Sequence, residues 1–504
     1  MRSLVGAVVA CAVATAIPSH AAGQTNDYAM TRARTLYGQL HDNSSCEAAL
    51  PSAREFVASS DFSTLPEQAR REFLFEVMQC AWTMEDGRAA AAAANAAGEL
   101  GAPWADVARL RLGYAFDDDA LAVAALVDLA QHSPDQLRGE DSRYIWGALN
   151  AADRQDASGA TSLRLHELLV TNAYVPPDGS PDDALRLHHA RLLIRRGDLA
   201  AARSRLETVI EPQLVMMLRI DRSFDPIRGD PAFERRLDVA AAANAALERA
   251  RRIASERPRS LDSILGVAQA LRALGRHEEA LAVLNPAISA AQRPDAAKRF
   301  DDVAEKLNWL LNEKAYALYD LGRVAEAHDV FGASIAAGED GQWSVSQVIN
   351  FASMLDSEGH ARDALEVLRT VGRASPYGDM WTAAVRVCSS EQLHDVTTRD
   401  EALTFMRAHE QDNVAALSQA LLCINDLDGA AALFIRRLAN DRQREGALQA
   451  LQRYRARDEP AQPHHRLLLQ RLAQVRDRAD VRAAVEAVGR IEDIPLFTTY
   501  WGDV

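Results

Sequence analysis

Five stretches of this chain repeat one arrangement of apolar and small positions around a turn residue: Gly197, Gly275, Gly322, Gly359 or Asn425. Seven residues before the turn the side chain is small (Ala190, Ala268, Ala315, Ala352, Ser418), and four before it stands leucine (Leu193, Leu271, Leu318, Leu355, Leu421). Five residues after the turn comes alanine (Ala202, Ala280, Ala327, Ala364, Ala430), and nine after it a large apolar residue (Leu206, Leu284, Phe331, Leu368, Phe434). Every slot is filled in all five stretches, which richness in Ala and Leu does not produce by itself. Three- and four-residue spacing of apolar positions predicts a helix on each side of the turn. Gly or Asn between them suits the left-handed backbone that ends a helix. The small residue and the alanine then mark where two antiparallel helices cross closely. One such hairpin cannot bury its apolar face alone, so the hairpins must stack.

These residues resemble the tetratricopeptide repeat, a helical hairpin of about 34 positions. The clearest instances are LLIRRGDLAAARSRL (192–206), ALRALGRHEEALAVL (270–284) and ALYDLGRVAEAHDVF (317–331). Pro376 falls where the family often places a proline after the second helix. Further units are expected near 383–409, with Ala402 and Met406 in the matching slots, near 72–97, and near 103–134, where Ala122, Leu126 and Pro134 fit. The resemblance implies an all-α fold, a superhelical solenoid of antiparallel helical hairpins. The turns are unevenly spaced, so the array is interrupted.

One interruption reads Ser223-Phe224-Asp225-Pro226-Ile227-Arg228-Gly229-Asp230-Pro231-Ala232-Phe233. Its two Asp-Pro steps predict extended or turn backbone, because the residue before proline avoids the helical region. Phe224 and Phe233 then anchor the segment, which is similar to the FDPLR-x-DP-x-F stretch that follows repeat arrays in bacterial proteins. A boundary near 237 is expected, with an N-terminal array over 23–237 and a C-terminal array with a helical cap over 238–504. Ala89 to Ala97 reads as a closely packed helix.

The N-terminus adds a compartment. One basic residue, Arg2, precedes an apolar run from Leu4 to Ile17 and then small residues, the order of a cleaved secretory signal over 1–22. About 14 apolar residues are too few to span a bilayer, and no later run is long enough, so the chain is not expected to be membrane-spanning. Export makes the cysteines informative. Beyond Cys11 there are Cys46, Cys80, Cys388 and Cys423, an even number in an oxidising compartment. Four cysteines allow three pairings, of which nearest neighbours (Cys46 with Cys80, Cys388 with Cys423) is the expected one. The alternative is four small buried packing residues. No CxxC occurs. A net charge of −15 argues against nucleic acid as a partner.

Chemistry is sparse. The sequence has no GxSxG, P-loop, GxGxxG, HExxH or EF-hand pattern. The adjacent pairs His188-His189 and His464-His465 point about 100° apart on a helix, so neither is expected to hold a metal. Asp117-Asp118-Asp119 reads as a solvated turn. No cofactor or metal is expected, and the chain is not expected to be an enzyme. The resemblance implies that the first helix of each hairpin lines a concave binding face. Counted from the turns, its outward positions are Arg191 and Arg195, Gln269 and Arg272, then Trp309, Asn312, Tyr316 and Tyr319, then Ser353 and Asp356. An Arg and Trp/Tyr strip suits a protein or peptide partner, since these side chains dominate interface energetics. The family's carboxylate clamp is absent: the early positions hold Leu187, Leu265, Asn312, Ile349 and Ala415. With the leader, the resemblance is to an exported bacterial member of the family. It implies a periplasmic scaffold or adaptor, in settings such as envelope assembly or polysaccharide export. The alternative is an exported enzyme or glycan-binding protein framed by the solenoid.

Overall fold

The structure, a computed structural model, describes residues 24–42, 45–177, 179, 182–338, 344–455 and 462–497 of the 504. The expected signal segment lies outside the described residues. Contacts divide the chain into two compact units, Met1–Ser180 and Pro181–Val504. This division is not the one near 237 expected from the sequence. The Phe224–Phe233 segment sits inside the second unit because both its phenylalanines and Ile227 are buried there.

Each unit is built of antiparallel helical hairpins. In the second unit the five expected hairpins pair Asp183–Arg196 with Leu199–Leu206, Leu261–Ala273 with His277–Ala291, and Val303–Asp320 with Val324–Ala337. Val345–Glu358 pairs with Ala361–Leu368, and Val414–Cys423 with Leu427–Ala439. All five turn residues have positive φ, from 57° at Asn425 to 88° at Gly359. The residue after each turn donates its N–H to the carbonyl of the slot leucine, as Arg276 does to Leu271 at 2.9 Å and Asp426 to Leu421 at 2.9 Å. This closure satisfies a carbonyl that the helix end leaves open, and it requires the left-handed residue. Asp198 and Asp426 then cap the second helix, accepting from the N–H groups of Ala201 and Gly429.

The same closure identifies the degenerate units. Glu85, Asp117 and His394 take positive φ although they are not glycine. The following residues, Asp86, Asp118 and Asp395, bond back to Ala81, Gly113 and Ser390 at 2.9 Å. They join Glu67–Thr83 to Gly87–Glu99, Ala105–Ala115 to Asp119–His132, and Pro376–Gln392 to Val396–Ala408. Ala122, Leu126, Ala402 and Met406 are buried, and Ala89, Ala90, Ala93, Ala94 and Ala97 form one packed face. Pro376 starts its helix, where its missing N–H costs nothing. Of the triple aspartate, Asp118 caps the next helix and Asp119 pairs with Arg154.

None of the twenty slot residues in the five main hairpins is more than 6% exposed. Ala280 and Ala327 are fully buried at the helix crossings. Leucine at either position should overpack the crossing and destabilise by about 1–3 kcal/mol, read as a lower urea midpoint. An unchanged midpoint would mean that the helices are not in close contact there.

Local backbone in the Phe224 segment differs from expectation at one step. Arg222–Ile227 forms a 3-10 helix that includes Asp225, while Asp230 is extended and caps Pro231–Arg236. Beyond the last main hairpin come Arg444–Ala450, Pro463–Arg476 and Ala479–Val488. Two short strands, Arg453–Tyr454 and Asp493–Ile494, pair in parallel. That pair is too short to show an alternating pattern.

Candidate functional site

The expected strip is mostly covered. Arg195 and Gln269 are exposed, and Arg191 and Trp309 are half-buried. Arg272, Asn312, Tyr316 and Tyr319 are at most 3% exposed. The counting placed them on the first-helix face correctly but took that face to be open. Neighbouring helices and the chain's own C-terminal elements close over it.

The centre of this region is a buried ionic cluster. Arg272, near the end of Leu261–Ala273, donates Nη1 to Glu313 Oε1 at 2.6 Å and Nε to Asp320 Oδ2 at 3.0 Å. Both acids come from Val303–Asp320, which packs alongside. Burial opposes the charge on Arg272, but Glu313 and Asp320 outweigh it and hold its pKa above the ordinary arginine value. The guanidinium also lies 4.8 Å from the centre of the Tyr316 ring, which meets Phe331 edge-on at 5.4 Å. Next along the same helix, Asn312 accepts from Asn350 Nδ2 at 3.0 Å. These groups recognise one another, and that is why Arg272, Asn312 and Tyr316 are corrected from outward ligands to parts of the core.

Two further members of the face meet the C-terminal elements. The Asp356 carboxylate accepts from Ser389 Oγ at 2.7 Å and Gln392 Nε2 at 2.7 Å, and His464 Nδ1 stands 3.0 Å from it. Arg191 pairs with Asp221 at 3.2 Å and with Glu445 at 2.7 Å, and stacks over Phe224. Arg471 donates to the carbonyls of Leu422 and Cys423, both at 2.7 Å, where a helix end leaves carbonyls open. Pairings across a hundred or more residues give no local signal, so sequence reasoning had no means of finding them.

Cys46 is bonded to Cys80, and Cys388 to Cys423, with Cα–Cα distances of 5.7 and 5.0 Å. The second bridge ties the first helices of two adjacent hairpins, Pro376–Gln392 and Val414–Cys423. Among the described residues no group of three His, Cys, Asp or Glu side chains is arranged to hold a metal ion. His464 and His465 are buried, and burial lowers the His189 pKa to about 4. No described helix is long and apolar enough to cross a membrane. An open cleft of about 700 Å³ in the first unit is lined by Glu47, Leu50, Arg54, Met84 and Asp86, among others. Arg54 and Asp86 stand 3.4 Å apart across it.

A family model described as Tetratrico peptide repeat matches residues 309–415. A search of curated proteins finds no match. Solved structures align along most of the chain at low identity. A Rap protein complexed with Competence and Sporulation Factor is 12% identical, covering 89% of this chain and 99% of its own, with a TM-score of 0.33. Yeast Tom70 is 13% identical, covering 92% and 99%, with a TM-score of 0.25. The P58(IPK) TPR domain is 14% identical, covering 73% and 98%, with a TM-score of 0.16. At such scores these alignments carry no weight, and the family rests on the matched segment and on the hairpins themselves. Residues 309–415 match the tetratricopeptide-repeat family, and five left-handed turns closed in one way, with all twenty slots buried, repeat one hairpin geometry within and on both sides of that segment.

Proposed function

We propose that this protein is an exported, non-catalytic scaffold that holds a protein or peptide partner on the first-helix face of its second unit. The observation that carries the reading is the tetratricopeptide match over 309–415, a repeat whose stacked hairpins supply surface and not reactive groups. Arg195, Gln269 and Trp309 keep solvent access and form the part of the expected strip that a partner can reach. Export is supported by the Leu4–Ile17 run followed by small residues, and by two bonded cysteine pairs, which persist in oxidising compartments.

The test is positional crosslinking in cells. A photoreactive side chain at Gln269 should trap a defined partner in the envelope fraction, while one at the exposed Arg369 should not. Equal trapping at both positions, or none at Gln269, would count against the reading. N-terminal sequencing of the same material should give a chain starting at Ala22 or Gly23. Retention of Met1 would remove the export part.

A further inference from the structure

The last described segment of the chain, residues 489–497, lies on the second unit in the manner of a bound peptide. It is extended and buries alternate side chains: Ile494 and Leu496 are inside, Asp493 and Pro495 outside. Its main chain is held at both ends. Arg490 N–H donates to the Ile220 carbonyl at 2.8 Å and Phe497 N–H to the Ala273 carbonyl at 3.2 Å. Between them, Arg453 and Arg455 donate to the carbonyls of Glu492 and Leu496 at 3.1 and 3.0 Å. Side chains add direction. Arg490 binds both carboxylate oxygens of Asp225 at 2.7 Å, and Glu492 meets Arg219 at 2.7 Å. The Phe497 ring packs under Arg455 at 4.7 Å and on the Gly275 turn, where an added Cβ would stand 2.5 Å from it.

Main-chain bonds to an edge and pockets for alternate side chains are how extended peptides are recognised, and here charge pairs at 490, 492 and 493 fix the first half of the segment. The contact also differs from those between the hairpins. Its three ion pairs are open to water, at 30% and 36% exposure for Arg490 and Asp225, 37% and 21% for Arg219 and Glu492, and 46% and 82% for Arg453 and Asp493. Its apolar part is three side chains, Ile494, Leu496 and Phe497. The repeat helices are joined instead by fully buried alanine, leucine and phenylalanine.

We propose that residues 489–497 are a resident, exchangeable ligand, and that the surface beneath them receives an extended peptide from a partner. The fitting peptide has an arginine, an acid two positions later, and apolar residues four, six and seven positions after the arginine. This rests on the scaffold reading and names its partner class. Crosslinking at Gln269 does not depend on the segment, so either conclusion can fail alone.

The probe is a fluorescent peptide of this chain's own sequence, GRIEDIPLF, added to the full-length protein. Wild type should bind it weakly, because the surface is filled. The double variant Arg490→Ala, Leu496→Ala should bind it at least tenfold more tightly, and adding Asp225→Asn should abolish the gain. In wild type, the amides of Arg490 and Phe497 should exchange with deuterium at least tenfold faster than those of Ala315 and Leu318 in the helix core. Equal peptide affinity in wild type and double variant would overturn the proposal. So would segment amides that exchange only as slowly as the core, or loss of helix signal in the double variant, since an exchangeable ligand leaves its receptor folded.

Discussion

Arg272→Ala should destabilise the second unit by about 3–5 kcal/mol, the cost of removing one partner from a buried charge group. The Glu313 and Asp320 side chains would remain at 6% and 1% exposure, having lost the guanidinium that bonds to both. The Tyr316 ring would lose the cation above it as well. The net contribution of the intact cluster is a separate question, because desolvating three charges offsets much of their attraction. Replacing all three together, with Met at 272, Gln at 313 and Asn at 320, should therefore cost much less than the single alanine. Urea unfolding of the full chain reads both. An Arg272→Ala change within about 0.5 kcal/mol would mean that the side chain is an ordinary solvated arginine.

Reducing the two disulfides should cost about 2–4 kcal/mol each. The bonded residues are 34 and 35 positions apart, so each bridge closes a loop of about one repeat and restricts the unfolded chain accordingly. All four cysteines are also buried, at 3% exposure or less, so the reduced thiols would have little room to separate. Thiol titration of the unfolded, unreduced chain lacking residues 1–22 should find none free, and a reductant should lower the urea midpoint. Four free thiols would refute both bridges, and two would leave one standing.

The repeat pattern was legible because each slot answers a local requirement. Gly275 is needed for φ of 74°, Ala280 for a close crossing, and Leu284 for the space between hairpins. Each requirement recurs at a fixed offset, so a single sequence displays it several times. Units closed by Glu85, Asp117 and His394 were harder to place, since a non-glycine residue in the left-handed region announces nothing. The binding strip shows the opposite case. Register gave the correct helix face for Arg272, Asn312, Tyr316 and Tyr319, yet exposure depends on what lies across from that face. For Arg272 the answer is Glu313 and Asp320, 41 and 48 residues away. For Asp356 it is His464, 108 residues away.

By itself, then, the sequence determined the helical hairpins, their left-handed turns and the small residues at their crossings, because these are set by backbone sterics and by contacts within about 20 residues. Only the tertiary structure decided where the chain divides, which arginines are buried as ions, and that the C-terminal segment returns to Ile220 and Ala273. Those features depend on pairings between distant residues, where an arginine bound for a buried carboxylate reads the same as one bound for water. The first-helix face is specified locally, while what covers it is specified by residues 41 to 108 positions away.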